Sequence, residues 1–244
     1  MPTLIANELL KLRTTRAPWL LAAGGPLLTL LGVTGLFASG ADTGKADTAT
    51  RAVAHAGMVS LLALVLGILA VAGEYRHKTI TDTYLATPRR ARVVAAKLVV
   101  YTGLGALLGV ACAAVALPAT AVGYAAKGAS LDWGDTGVWR TLAGGVVWNA
   151  AFAAIGVGVG ALVRNLAGAV SVALAWIALV EGLVGQLVGG FARWLPFAGG
   201  RAVGNLAPDA GDLLPQWGAA AVLVGYAAAF AAAAVSTTVR RDIT

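Results

Sequence analysis

The side chains that usually carry out catalysis or bind metals are few in this chain, and their spacing does not suit either chemistry. His55 and His77 are its only histidines, no His-Glu-x-x-His helix is present, and no Ser-His-Asp set could share a pocket. Cys112 is the only cysteine, so an intrachain disulfide is impossible. Gly44-Lys45 lacks the earlier glycine of a phosphate-binding loop. We therefore expect no catalytic, metal or cofactor site in this chain.

Polar and charged residues are concentrated in one segment, residues 73–97, which reads GEYRHKTITDTYLATPRRARVVAAK. Ile80 and Tyr84 are four apart, so a helix here would carry an apolar strip, until Pro88 disfavours helix at Thr87. A short polar helix with such a strip is suited to docking into a groove on a partner protein. The charge alone would also suit an ordinary cytoplasmic loop of a membrane protein.

Long apolar runs must position this segment. Hydrophobic residues make up 59% of the 244 residues and charged residues 12%, roughly half the charged share of a soluble domain. A membrane span needs about 20 apolar residues. The runs fall at roughly 18–38, 53–73, 98–126, 141–163, 166–190 and 217–238. The sequence predicts an all-helical domain of six spans over residues 18–244, with a kink or an outer extension of the third span near Pro118.

The distribution of charge predicts the orientation of these spans. With both termini in the cytoplasm, twelve of the 18 basic residues lie inside, beside four acids, whereas the outer segments hold six basic residues and six aspartates. The positive-inside rule therefore assigns both termini to the cytoplasm. It also explains the formal net charge of +7 without nucleic-acid binding. The inside basic residues are Lys11, Arg13, Arg16, Arg76, Lys78, Arg89, Arg90, Arg92, Lys97, Arg164, Arg240 and Arg241, and the inside acids are Glu8, Glu74, Asp82 and Asp242.

Residues 1–17 precede the first span and show a helical spacing of apolar residues. This pattern predicts a short helix lying flat on the membrane, although a plain basic leader that fixes topology is the alternative. The apolar residues are Ile5, Leu9 and Leu12, and the charged residues expected to point elsewhere are Glu8, Lys11 and Arg13.

Glu181 is the one acid within a predicted span. It lies roughly 24 Å along the fifth helix from Asn165. A charge near mid-membrane costs about 2.5 kcal/mol or more, so the side chain should face the protein interior or water. We expect it to line the outer end of a transport path or to hold an outer gate through Arg193 or Arg201. The alternative is a structural anchor at the outer interface.

Segment 73–97 resembles the signature between the second and third spans of type-2 ABC exporter permeases. The N-terminal leader, and the six-span layout with a polar, proline-bearing stretch before the last span, are similar to the same family. Family members often carry glycine where this chain has Lys78. The matching residues are Gly73 to Arg76, Thr79, Ile80, Leu85, Thr87 to Arg89, Arg92 and Lys97, together with Glu8 and Lys11 to Arg13 in the leader.

This resemblance implies an N-terminal elbow helix and a cytoplasmic coupling helix that contacts a nucleotide-binding subunit. It implies two copies of that ATPase, which would hold ATP and Mg²⁺, and a second permease chain, identical or different. The assembly would move an amphiphilic or hydrophobic substrate outward across the plasma membrane of a prokaryote. The expected coupling residues are Glu74, Tyr75, Arg76, Thr79, Ile80, Thr83, Tyr84, Leu85, Pro88, Arg89 and Arg92.

Two other functions stay open at this point. An ion-coupled secondary transporter could use Glu181 as its proton-linked site, although such proteins usually show related halves, and no internal repeat is evident here. A non-transporting membrane scaffold could use the same basic loop to hold a soluble partner.

Overall fold

The computed structural model describes residues 1–87, 89–206 and 213–240, and these residues contain helices and no strands. Six stretches are long and apolar enough to cross a membrane, as the sequence predicts. They cover Arg16–Ala38, Thr48–Arg76, Arg90–Ala126, Thr136–Val163, Leu166–Val184 and Gln216–Thr237. Pro88, Arg241 and Asp242, named above, lie outside the described residues, as do two of the six outer aspartates, Asp209 and Asp212.

The helices follow one another along the chain with short connections. Helices α1 to α7 are α1 (Pro2–Thr14), α2 (Arg16–Ala38), α3 (Thr48–Val53), α4 (His55–Met58), α5 (Ser60–Arg76), α6 (Ile80–Ala86) and α7 (Arg90–Ala126). The second half contains α8 (Thr136–Val163), α9 (Leu166–Ala175), a π-helical turn (Trp176–Glu181), α10 (Gly182–Leu187), α11 (Gly189–Ala192), α12 (Pro196–Val203) and α13 (Gln216–Arg240).

The third span continues as a helix through Pro118 to Ala126. At 1.5 Å per residue its 37 residues extend about 55 Å, well beyond the 30 Å hydrocarbon core of a bilayer. It begins at Arg90, earlier than the apolar run predicts, because its first two turns carry the polar end of segment 73–97. The helix therefore joins the apolar bundle directly to that segment.

Helices α5 and α8 form the centre of the bundle because glycines let their backbones approach closely. A Cβ atom added to Gly156 would collide with the carbonyl oxygen of Leu64, and one added to Gly67 would collide with that of Ala153. Small residues at helix contacts are how membrane helices gain close packing. This pair of helices is the part of the fold against which the other spans pack.

The second span is broken into α3, α4 and α5, and a neighbouring side chain satisfies one freed backbone group. Asn149 of α8 is fully buried, and its Nδ2 donates to the carbonyl of Ala56 (3.0 Å) and to that of Gly145 (2.8 Å). An unpaired carbonyl in an apolar interior would cost free energy, so this contact stabilises the irregular start of the span.

Candidate functional site

Helix α6 forms the tip of the connection between α5 and α7. It begins at Ile80 and ends at Ala86, and Thr87 is extended (φ −138°, ψ 89°), as Pro88 predicts. Ile80 and Tyr84 are buried against Val93 of α7, with Tyr75 beside them. A short helix is thus held outside the apolar bundle by two of its own side chains.

The apolar strip of α6 faces inward, and here the sequence-based interpretation is wrong. We expected Ile80 and Tyr84 to face a partner, but both are buried by the chain itself. The burial has a simple cause, since a seven-residue helix has too little propensity to form without packing on a neighbour. The face left exposed carries Leu85, which is 75% exposed, together with Thr81 and Asp82.

The turn before α6 requires an unusual backbone conformation at Lys78. Its φ of 58° lies in the left-handed region, which costs a residue with a Cβ roughly 1–2 kcal/mol. Glycine adopts this conformation readily. Type-2 ABC exporter permeases often carry glycine at the position that Lys78 resembles, and in this chain the turn forms with lysine.

A cluster of four charges, Glu8, Lys11, Glu74 and Lys97, joins the base of this connection to α1 and α7. It is called the buried charge cluster here because three of its members are buried, whereas the Lys11 side chain is 40% exposed. Lys97 is 1% exposed. Its Nζ donates to Glu8 Oε2 (2.9 Å), Glu74 Oε1 (2.7 Å) and the carbonyl of Ala70 (2.9 Å). All three N–H donors of the ammonium are therefore satisfied. A lysine this deep in an apolar helix is stabilised only by such pairing.

Lys11 completes the cluster and balances its charge. Its Nζ donates to Glu74 Oε1 (2.6 Å) and to Glu8 Oε1 (3.0 Å). Burial disfavours the charged ammonium, but the hydrogen bond and the negative charge of Glu74, followed by those of Glu8, outweigh it and raise the pKa of Lys11. Because a raised lysine pKa contributes stability below the ordinary value, this contribution is lost only at strongly alkaline pH.

Helix α1 lies on the bundle with a different face from the one expected. Leu12 is buried in the bundle and Ile5 packs beside it, whereas the sequence predicts that both lie on the membrane surface. Glu8 also faces the bundle and is 3% exposed, while Leu9 is exposed. The expectation that Glu8 and Lys11 point away is wrong because Glu8 lies one helical turn before Leu12, on the same side. Arg13 is exposed, as expected.

Two arginines stack on the tyrosines beside α6. Tyr75 and Tyr84 share a side-chain hydrogen bond, and burial together with that bond raises the pKa of Tyr84 well above its usual range. The guanidinium of Arg90 lies 5.2 Å from the centre of the Tyr84 ring, and that of Arg164 lies 5.5 Å from the centre of the Tyr75 ring. Helix α6 is thereby connected to the turn between α8 and α9.

These contacts place α1, α6 and the α8–α9 turn at one end of the bundle, here called the basic end. Of the remaining expected coupling residues, Arg76, Thr79, Arg89 and Arg92 are exposed at this end. Thr83 is half-buried, and its hydroxyl donates to Glu74 Oε2 over 3.4 Å. The basic residues that the sequence groups together are therefore close in space.

Glu181 lies at the end of the π-helical turn, where it caps α12. Its carboxylate accepts hydrogen bonds from the backbone N–H groups of Phe197 (2.9 and 3.0 Å) and Ala198 (3.1 Å). It is 8% exposed and also lines an apolar cavity of about 360 Å³ among α8, α9 and α13. A helix N-terminus compensates a buried negative charge.

The expected ion pair between Glu181 and Arg193 is not formed among the described residues. The guanidinium of Arg193 lies instead 5.9 Å from the centre of the Trp194 ring. The carboxylate is already satisfied by backbone donors, which a sequence cannot identify because every residue other than proline carries one. Glu181 thus connects the fifth span to the short helix α12.

Sequence reasoning did not place Lys97 among the site residues, although the structure puts it at the centre of the buried charge cluster. A signal was available, since a lysine within an apolar run requires a partner of opposite charge. Its partner Glu8 is 89 residues away, so no local spacing could identify it.

No family model matches the chain, and no curated protein is a significant match. The resemblance to type-2 ABC exporter permeases therefore rests on segment 73–97, on the leader and on the six-span layout alone.

Proposed function

We propose that this chain is the membrane subunit of a type-2 ABC exporter, driven by a separate ATPase that docks on α6. The observation that carries the proposal is the attachment of α6 to the rest of the molecule. Its buried residues pack on α7, and the buried charge cluster holds the adjoining end of α5 to α1 and α7.

Rigid attachment matters because a docking helix transmits force only if its base does not yield. Truncating one member of a buried, hydrogen-bonded ion pair typically costs about 3–5 kcal/mol. Displacement of α6 would therefore move α5 and α7 together before the cluster separated. A loop that served only to carry positive charge would need neither the cluster nor the stacked tyrosines.

The face offered to a partner combines an apolar anchor with a charged rim. Leu85 and Asp82 are exposed on α6, and the next exposed charges along the chain are Arg89, just before α7, and Arg92, in its first turn. Protein interfaces commonly place one or two apolar anchors inside a polar border. This chemistry supports a protein partner at the basic end.

In this proposal two ATPase subunits hold ATP and Mg²⁺, a second permease chain completes the pathway, and lipid surrounds the six spans. Both termini lie in the cytoplasm of a prokaryotic cell, on the side to which the basic end faces. The substrate is amphiphilic or hydrophobic and moves outward.

The test is whether ATP hydrolysis copurifies with the chain and depends on α6. The tagged chain would be purified from membranes of its native cell, and wild type, Leu85→Asp and Arg89→Glu would be compared for retained ATPase activity. Lys127→Glu is the matched control, because Lys127 is exposed at the other end of α7. We expect Leu85→Asp and Arg89→Glu to lose most of the activity and the control to keep it.

A second candidate draws on Glu181, a buried carboxylate within a span and beside an apolar cavity. That combination is typical of ion-coupled secondary transporters. Substrate movement in vesicles that requires a proton gradient, needs no ATP and is lost in Glu181→Gln would favour it. The same result, together with no copurifying ATPase activity, would reject the ABC proposal. A scaffold would show neither ATPase activity nor transport.

A further inference from the structure

A positively charged cavity lies at the basic end, between the end of α5 and the α8–α9 turn. Its volume is about 470 Å³, and its lining contains two arginines and no acid. The lining residues are Tyr75, Arg76, Arg164, Asn165, Leu166 and Ala167.

The backbone conformation at Arg164 does not explain why this residue is an arginine. Arg164 ends α8 with a φ of 57°, in the left-handed region. Glycine, and sometimes asparagine, fills such positions because neither is strained there as much as other residues. The reason for an arginine at this position therefore lies in its side chain.

One N–H donor of the Arg164 side chain has no hydrogen-bond acceptor among the described residues. The Arg164 guanidinium stacks on Tyr75, but its Nε is buried and has no hydrogen-bond acceptor among the described residues. Buried donors in proteins are nearly always paired. Arg76 brings a second guanidinium to the same cavity.

We propose that this cavity binds a phosphate group through Arg76 and Arg164. Guanidinium groups match phosphate oxygens with paired N–H donors, and two of them compensate its charge. Leu166 and Ala167, which open α9, line the same cavity, and the N-terminus of a helix favours an anion.

The position of the cavity favours a phosphate from a lipid headgroup. It lies where α5 and α9 leave the apolar part of the bundle, which is the level of the lipid phosphates in a bilayer. Basic pockets between membrane helices on the cytoplasmic side are suited to anionic headgroups. A soluble phosphate has the same chemistry and would reach the cavity from water.

Binding would also act on α6, because Arg164 stacks on the tyrosine that is hydrogen-bonded to Tyr84. A phosphate that drew the guanidinium away from Tyr75 would loosen one support of the docking helix. This effect on a partner ATPase rests on the proposed function, whereas the binding itself does not.

The test compares lipid retention by the purified full-length chain in detergent. Equal amounts of phosphatidylglycerol and phosphatidylcholine would be added, and the bound molecules counted by native mass spectrometry. Arg164→Asn suits the purpose because asparagine tolerates the left-handed backbone, and Arg76→Gln changes an exposed residue. Arg13→Gln removes a like charge at the same end of the bundle, outside the cavity. Thermal unfolding would verify that each variant is folded.

We expect wild type and Arg13→Gln to retain phosphatidylglycerol preferentially, and Arg164→Asn and Arg76→Gln to bind it about tenfold or more weakly. Titration with inorganic phosphate separates the two sources. Phosphate binding that needs both arginines, without a lipid preference, would keep the site and assign it a soluble ligand. Equal binding by all four proteins, or an equal loss in Arg13→Gln, would overturn the proposal. These readouts involve no ATPase, so they stand apart from failure of the proposed function.

Discussion

Replacing Lys97 by methionine tests whether the buried charge cluster holds the base of α6. Methionine keeps the length of the side chain but removes all three hydrogen bonds of the ammonium. Glu8 and Glu74 would then share only Lys11. Because removing one partner of a buried pair costs about 3–5 kcal/mol and Lys11 still compensates part of the charge, we expect a loss of about 3 kcal/mol.

The free energy of unfolding would be measured by denaturant titration in mixed micelles. Limited proteolysis at each denaturant concentration would then report whether α1 has detached from the bundle. Lys127→Met is the matched control, since it alters an exposed lysine at the end of the same helix and should change stability by less than about 0.5 kcal/mol. In this experiment α1 should become sensitive to protease before the spans unfold, because it loses one of its connections to α7.

A double variant tests whether the four charges act as one network. Lys97→Met with Glu8→Gln removes one charge of each sign and leaves the pair of Lys11 and Glu74 intact. Its cost should be clearly smaller than the sum of the two single changes, because the residues belong to one network. Strictly additive costs, or a Lys97→Met variant as stable as Lys127→Met, would refute the account of the cluster.

Three other variants test separate parts of the structure. Lys78→Gly should raise stability by about 0.5–1 kcal/mol in the same titration, because it relieves a left-handed backbone, and no gain would contradict that conformation. Glu181→Gln should weaken the cap of α12 by about 1 kcal/mol and speed hydrogen exchange at the Phe197 amide several-fold, while unchanged exchange would argue against the cap. Gly156→Ala should cost about 1–3 kcal/mol through overpacking against Leu64, and a stable variant would show that α5 and α8 are farther apart.

The sequence alone is sufficient to predict the six spans, because each apolar run is about as long as a bilayer requires or longer. It also predicts the end of α6 before Pro88 and a helix in the leader. These features depend on local composition and spacing, which can be read directly from one amino-acid sequence.

The orientation of the two short helices was harder to predict, and for both the assigned face was wrong in part. Glu8 is polar but faces the bundle, and Ile80 and Tyr84 are buried rather than offered to a partner. The local spacing from Leu12 places Glu8 toward the bundle, but its partner Lys97 of α7 is far away in the chain. Ile80 and Tyr84 pack on Val93 of α7, on the other side of a turn. The bonds of Glu181 were unpredictable for another reason, since its partners are backbone amides.

The pairing of Glu8 with Lys97 has a consequence for how the protein is made. A ribosome adding about 5–20 residues per second produces the lysine several seconds after the glutamate, because 89 residues separate them. During that interval Glu8 of the first helix cannot form its ion pair with Lys97 of the third span. The ion pair between Glu8 and Lys97 can therefore form only after the start of the third span has been synthesised.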